Sequence, residues 1–186
     1  MRKKYSGVSA GATGFFNYQV GKEGARALGY DATLLEEVSD ELMASFCSVG
    51  NPFSLAPITE GSSVLDIGCG AGYDLFIASR LVGPDGKVFG VDLTAEMVDR
   101  AKINLKALQV KNVEILQVEG EQLPFDGNYF DAVISNGVIN LSPDKASLFA
   151  EIFRVLKPCG RLQFADIVLE KALPPHLASS IESWSQ

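Results

Sequence analysis

Gly68, Gly70 and Gly72 stand at alternate positions directly after the apolar run Val64-Leu65-Asp66-Ile67, with Cys69 inside the loop and a helical pattern from Tyr73 onward. A strand that enters a glycine-rich turn and then a helix brings backbone close to a ligand, because no Cβ stands in the way. The helix N-terminus behind the turn favours a negatively charged group. A dinucleotide fingerprint would need GxGxxG with a small third residue. That third position is Tyr73 when counted from Gly68 and Gly70, and Leu75 when counted from Gly70 and Gly72, so a nicotinamide cofactor is disfavoured. The spacing here is GxGxG, preceded by the acid Asp66.

Three further segments carry suitable groups. Asp92 closes the next apolar run, where an acid in such folds reaches ribose hydroxyls. A carboxylate accepts from two neighbouring hydroxyls at once. Asp92 also fits as an ordinary helix-entry residue ahead of Thr94, and the glycine loop tips the reading towards a ligand. Glu119-Gly120-Glu121 could read an adenine, the carboxylate accepting from the amino group and a backbone N–H donating to the ring, although a solvated acidic turn has the same composition. Ser135-Asn136-Gly137 follows a fourth apolar run, at the crevice where open α/β sheets bind ligands. No metal site is expected. Cys47, Cys69 and Cys159 lack metal-ligand spacing, and His176 is the single histidine.

The elements that must position these groups alternate. Strands are predicted at 64–67, 88–91, 113–118, 130–135 and 161–169, and helices at 73–82, 95–108 and from Ser142-Pro143 onward. Thr94 is the expected cap of the second of these helices, and Ser142 of the third. Leu148, Phe149, Ile152, Val155 and Leu156 are its expected buried face. Such alternation implies right-handed crossovers and an α/β, doubly wound sheet of five parallel strands in the order 3-2-1-4-5, with helices on both faces. Residues 1–60 read as a polar, mobile start followed by a helical cap. In it a helix at 22–28 precedes one from about 33 to 46, capped by Asp31 or Thr33. Residues 61–170 form the core and 171–186 a tail broken by Pro174-Pro175.

Composition bounds the function. The 186 residues make one domain, 47% hydrophobic and 21% charged, with a net charge of −7. An acidic chain repels phosphate backbones, so no nucleic acid partner is expected. No apolar run reaches the roughly 20 residues of a membrane span, and no apolar signal segment follows the basic start. The few scattered cysteines fit a reducing cytoplasm.

In order along the chain, VLDIGCGAG at 64–72, GVDLT at 90–94, EQLPFDGNYFDAV at 121–133 and FRVLKPCGRL at 153–162 resemble the class I S-adenosylmethionine-dependent methyltransferases. The resemblance covers about residues 61–170 and implies a Rossmann-like fold with S-adenosyl-L-methionine as cofactor. It implies that Asp66, Gly68, Cys69, Gly70 and Gly72 surround the methionine part, Asp92 holds the ribose and Leu93 packs nearby. Glu119 and Gly120 would read the adenine, and Asn136 would lie near the sulfonium. Cys159 stands where this family usually has glycine.

The segment SNGVINLSPDK at 135–145 resembles the arsenite methyltransferases more narrowly, as does the stretch from Ser45 to Pro52. Gly137, however, occupies one position of their arsenic-binding thiols and Val49 another, while a third would fall just beyond Trp184. A soft arsenic centre needs several thiolates. The expected activity is therefore methyl transfer by in-line displacement to another small-molecule acceptor, with arsenite methylation and an inactive cofactor-binding module as alternatives. The catalytic base, if one is needed, is open between His176, Asp166 and Glu23. Phe15, Phe16 and Tyr18 either pack the cap onto the core or form a lid over the sulfonium. The family's usual sixth and seventh strands have no room before Gln186, which suggests an open sheet edge and a homodimer formed through it.

Overall fold

The computed structural model describes residues 2–168. Four short helices lead the chain: α1 (Arg2–Val8), α2 (Gly21–Ala27), α3 (Ala32–Glu36) and α4 (Asp40–Met43). The alternating part follows as β1 (Ser63–Ile67), α5 (Tyr73–Val82), β2 (Lys87–Asp92), α6 (Ala95–Ala107), β3 (Val113–Gln117), β4 (Phe130–Asn136), α7 (Lys145–Val155) and β5 (Leu156–Ala165). All four strand pairings are parallel, and the sheet order is β3-β2-β1-β4-β5. This is the doubly wound, Rossmann-like order that the alternation predicts.

Side chains alternate across β1 and so feed two cores. Val64 joins Leu75, Phe76, Ala78, Val98, Ala101 and Leu105 on the α5–α6 face. Leu65 and Ile67 join Phe130, Leu148, Ile152 and Val155 on the α7 face. Burial on both faces explains the continuous apolar run of β1. The leading helices extend the first core through Leu35, Val38, Met43 and Phe46. No helix among the described residues is long and apolar enough to cross a membrane.

Several local expectations are corrected. The polar start forms α1, because Val8 and Ala12 are fully buried against Met97 of α6. The single helix predicted at 33–46 divides into α3 and α4: Ser39 takes an extended backbone and its hydroxyl accepts from the Leu42 amide, starting a new helix. Asp31, rather than Thr33, caps α3 by accepting from the Thr33 and Leu34 amides. Thr94 precedes α6 without a side-chain cap bond. Asp144, not Ser142, caps α7, accepting from the Ser147 amide. Leu148, Ile152 and Val155 are buried as expected, whereas Phe149 turns outward.

β5 begins at Leu156 instead of Arg161, with an irregularity between the pairs Phe130–Leu156 and Ala132–Arg161. Cys159 lies in that irregularity with φ 66°, in the left-handed region. That conformation accounts for the glycine usual at this position in the resembling sequences. Leu169 and the expected 171–186 tail, with His176, Pro174-Pro175 and Trp184, lie outside the described residues.

Candidate functional site

The C-terminal ends of β1, β2, β3 and β4 open into one cleft. It is lined by Asp66, Gly68, Cys69, Gly70, Asp92, Leu93, Gly120 and Asn136, so eight of the ten residues expected at the cofactor meet there. Gly72 and Glu119 are not part of the lining. Gly72 heads α5, and a Cβ on it would come within 3.1 Å of the Ala101 Cβ, so this glycine sets the approach of α5 to α6. Glu119 is exposed to solvent beside Gly120.

The turn after β1 is held from two sides. The Gly68 and Cys69 amides donate to the Val91 carbonyl at 2.8 and 3.1 Å. The Gly70 amide donates to Asp92 Oδ2 at 3.0 Å, and the Thr94 amide to Asp92 Oδ1 at 2.8 Å. Asp92 thus ties the glycine loop to the end of β2. Gly70 has φ 51°, and a Cβ there would meet no protein atom within 4 Å. Gly90 in β2 lets the loop settle on the sheet: a Cβ on it would lie 2.9 Å from the Cys69 sulfur.

Three carboxylates share this space. Asp66 is 2% exposed, and its Oδ2 is buried without a hydrogen-bond partner. Burial drives its pKa well above the ordinary carboxylate value, and the charges of Asp74 and Asp92 add to the rise. Burial also raises Asp92, against the opposing amide bonds of Thr94 and Gly70. Asp74, in the first turn of α5, is raised to about 6 by burial, although hydrogen bonds from Tyr30 and Asn136 pull it down.

Asn136 is a junction. Its Oδ1 accepts from the Val49 and Gly50 amides at 3.1 and 3.2 Å, while its Nδ2 donates to the Gly50 carbonyl, the Tyr30 hydroxyl and Asp74 Oδ2 at 2.8, 3.0 and 3.1 Å. The Tyr30 hydroxyl donates to Asp74 Oδ1 at 2.7 Å. This network docks residues 49–50 at the cleft, where Val49 faces Gly137. Sequence reasoning missed Tyr30 and Asp74, whose side-chain partners lie 44 to 106 residues away.

Tyr5, Phe16 and Tyr18 form an aromatic wall, with ring centroids 6.4 Å apart for Tyr5–Phe16 and 5.1 Å for Phe16–Tyr18. Phe15 is 40% exposed and takes no part in the lining. Tyr5 belongs with this group but carried no signal in the sequence. The Tyr18 hydroxyl donates to the Cys47 carbonyl at 2.8 Å. Burial pushes the Cys47 thiol up to about 12, so it stays protonated beside the cleft. No cluster of three metal-ligating side chains occurs among the described residues. Of the candidate bases, Glu23 is exposed on α2 and away from the cleft, and Asp166 accepts from the Asn140 and Ile167 amides.

Comparison with known proteins agrees with this geometry. A family described as a methyltransferase domain matches residues 58–186. The chain is 36% identical over 94% of its length to an arsenite methyltransferase of Halobacterium salinarum, of which it covers 48%. It is 44% identical to a demethylmenaquinone methyltransferase of Lactococcus lactis over 55% of its length and 40% of that protein. The chain spans about half the length of the curated relatives it matches. The crystal structure of an arsenic(III) S-adenosylmethionine methyltransferase from Chlamydomonas reinhardtii superposes with a TM-score of 0.66 and 35% identity, over 83% of this chain and 52% of that one. With its sheet order, its glycine loop and these matches taken together, the chain belongs to the class I S-adenosylmethionine-dependent methyltransferase family, near its arsenite methyltransferase group.

Proposed function

We propose that this chain binds S-adenosylmethionine in the cleft and transfers its methyl group to a small, largely apolar acceptor other than arsenite. The observation that carries this reading is the unpartnered, buried Oδ2 of Asp66 beside the bare backbone of Gly70. A buried carboxylate oxygen without a donor is costly unless a ligand supplies one, and a cationic donor suits it best. S-adenosylmethionine carries such a cation, and when bound it supplies a methyl group already activated by a sulfonium sulfur.

The chain's residues then have distinct tasks. Asp92 uses one lone pair on each oxygen for the Gly70 and Thr94 amides, leaving the others for the ribose hydroxyls. Leu93 and Gly120 border the nucleoside end, and Gly68, Cys69 and Gly70 the methionine end. Asn136 acts on the site by holding Val49 and Gly50 in place. In-line transfer requires chiefly alignment and exclusion of water, which the aromatic wall of Tyr5, Phe16 and Tyr18 supports.

Arsenite is the named substrate of several relatives. The Val49–Gly137 pair argues against it here, because neither residue offers sulfur. The test is calorimetric titration of the folded chain with S-adenosylmethionine, repeated on Asp92→Ala. Micromolar binding, weakened at least about tenfold in the variant, is expected, since two amides and the ribose lose their acceptor. A folded chain that does not bind refutes the proposal. Binding without transfer of radiolabelled methyl to any apolar acceptor would favour a cofactor-binding module.

A further inference from the structure

We propose that Asn140 is the acceptor-recognition residue, its side-chain oxygen accepting a hydrogen bond from an O–H or N–H group on an otherwise apolar acceptor. The inference rests on the proposed cofactor site and adds the acceptor's polar handle. Asn140 lies in the short 3-10 helix Ile139–Leu141 after β4 and lines the cleft. Its Oδ1 is buried and has no hydrogen-bond partner. The turn cannot easily relax to find one. The Asn140 amide is clamped by Asp166 Oδ2 at 2.8 Å, and its neighbour Ile139 is 3% exposed in the α7-side core.

The position of Asn140 separates its role from cofactor recognition. Asp92 ends β2 and Gly120 follows β3, on one side of β1, whereas Asn140 and Asp166 follow β4 and β5 on the other. The cleft on the Asn140 side is largely apolar, with Val49, Gly137, Val138, Leu141 and Ile167, while the polar groups beside them, Asn136 and the Ser142 hydroxyl, are already hydrogen-bonded within the protein. An apolar site with one unmet acceptor selects a molecule of matching character, because a ligand lacking the donor leaves the carboxamide oxygen unpaired.

The probes are 1-naphthol and 1-methoxynaphthalene, which differ in the O–H, titrated by ligand-observed NMR against protein saturated with the unreactive cofactor analogue sinefungin. The naphthol is expected to bind about tenfold more tightly than its ether. Asn140→Leu should remove that preference by weakening naphthol alone, with sinefungin affinity unchanged. Asn140→Asp retains an acceptor oxygen in either protonation state and should restore the preference. Equal affinities in the unmodified protein, failure of both probes to bind, or equal weakening of both by Asn140→Leu would overturn the inference. So would a loss of sinefungin affinity in that variant, since the carboxamide would then serve the cofactor. Failure of sinefungin to bind the unmodified protein would instead overturn the proposed function, and this inference with it.

Discussion

Val49 packs directly over Gly137: a Cβ on Gly137 would lie 3.4 and 3.5 Å from the two Val49 methyl carbons. These positions are 88 residues apart in sequence, and each replaces a thiol expected from the resemblance to arsenite methyltransferases. Their contact means that the two lost thiols would have pointed at one another across the cleft, and that an apolar surface now fills the place. Arsenite should therefore support no methyl transfer by this chain, measured as arsenite-dependent consumption of S-adenosylmethionine. The pair Val49→Cys with Gly137→Cys should gain measurable arsenic(III) binding. Its stability should fall, because residue 137 has φ 70° and a side chain there is strained by about 1–2 kcal/mol. Turnover of arsenite by the unmodified chain would remove the basis for an apolar acceptor.

Cofactor affinity should depend on the ionisation of the buried acids. Asp74 keeps its proton up to about pH 6 in the folded chain. In the unfolded chain it releases it near pH ~4. Between these values the folded form binds more protons, so this group's contribution to stability falls as pH rises through the window. A cationic ligand prefers ionised carboxylates and lowers their pKa. Affinity for S-adenosylmethionine should then rise with pH through about 6 as Asp74 ionises, and Asp66, raised in the same direction by burial and by the Asp74 and Asp92 charges, adds to that rise. Titrations at pH 6 in buffers of differing ionisation enthalpy should detect net proton release. Proton uptake would contradict the assignment of these acids to the site.

Tyr30→Phe removes one hydroxyl of the network, and with it the bonds to Asp74 Oδ1 and the Gly50 carbonyl and the one accepted from Asn136. The ring should keep its contacts with Phe46 and Tyr73, 5.5 and 5.4 Å between centroids, while Asp74 loses its shortest donor. Destabilisation of about 1–3 kcal/mol in denaturant unfolding is expected. Because the Tyr30 bond lowers the Asp74 pKa, its loss should move the acidic limb of cofactor binding to higher pH. An unshifted limb would show that Asp74 does not govern it.

Cys159→Gly should stabilise the protein. Cys159 is exposed and sits at φ 66°, so its side chain adds strain with little burial in return. Relief of about 1 kcal/mol is expected, or a Tm about 2–4 °C higher. Cys159→Ala retains the Cβ and should leave the Tm unchanged, which separates backbone strain from any effect of losing the thiol.

The amino-acid sequence by itself determined the order of strands and helices, since the apolar runs and the periodicity of α5 and α6 are local properties. It also pointed to the glycine loop and Asp92, because a tight turn and a strand-end acid are encoded in a few adjacent residues. The division of the 33–46 helix was encoded too, in Ser39, but a capping serine resembles any polar surface residue until its backbone is seen to turn. Tertiary structure alone decided which residues share the cleft. It turned Glu119 outward, gave Gly72 to helix packing and brought Val49 to Gly137. It joined Tyr30, Asp74 and Asn136 from three distant segments, and it left Asp66 and Asn140 each with a buried oxygen lacking a donor. The physical reason is the parallel sheet: every crossover returns the chain to the same edge of the fold, so residues far apart in sequence meet at the strand ends, and burial there sets their charges and hydrogen bonds.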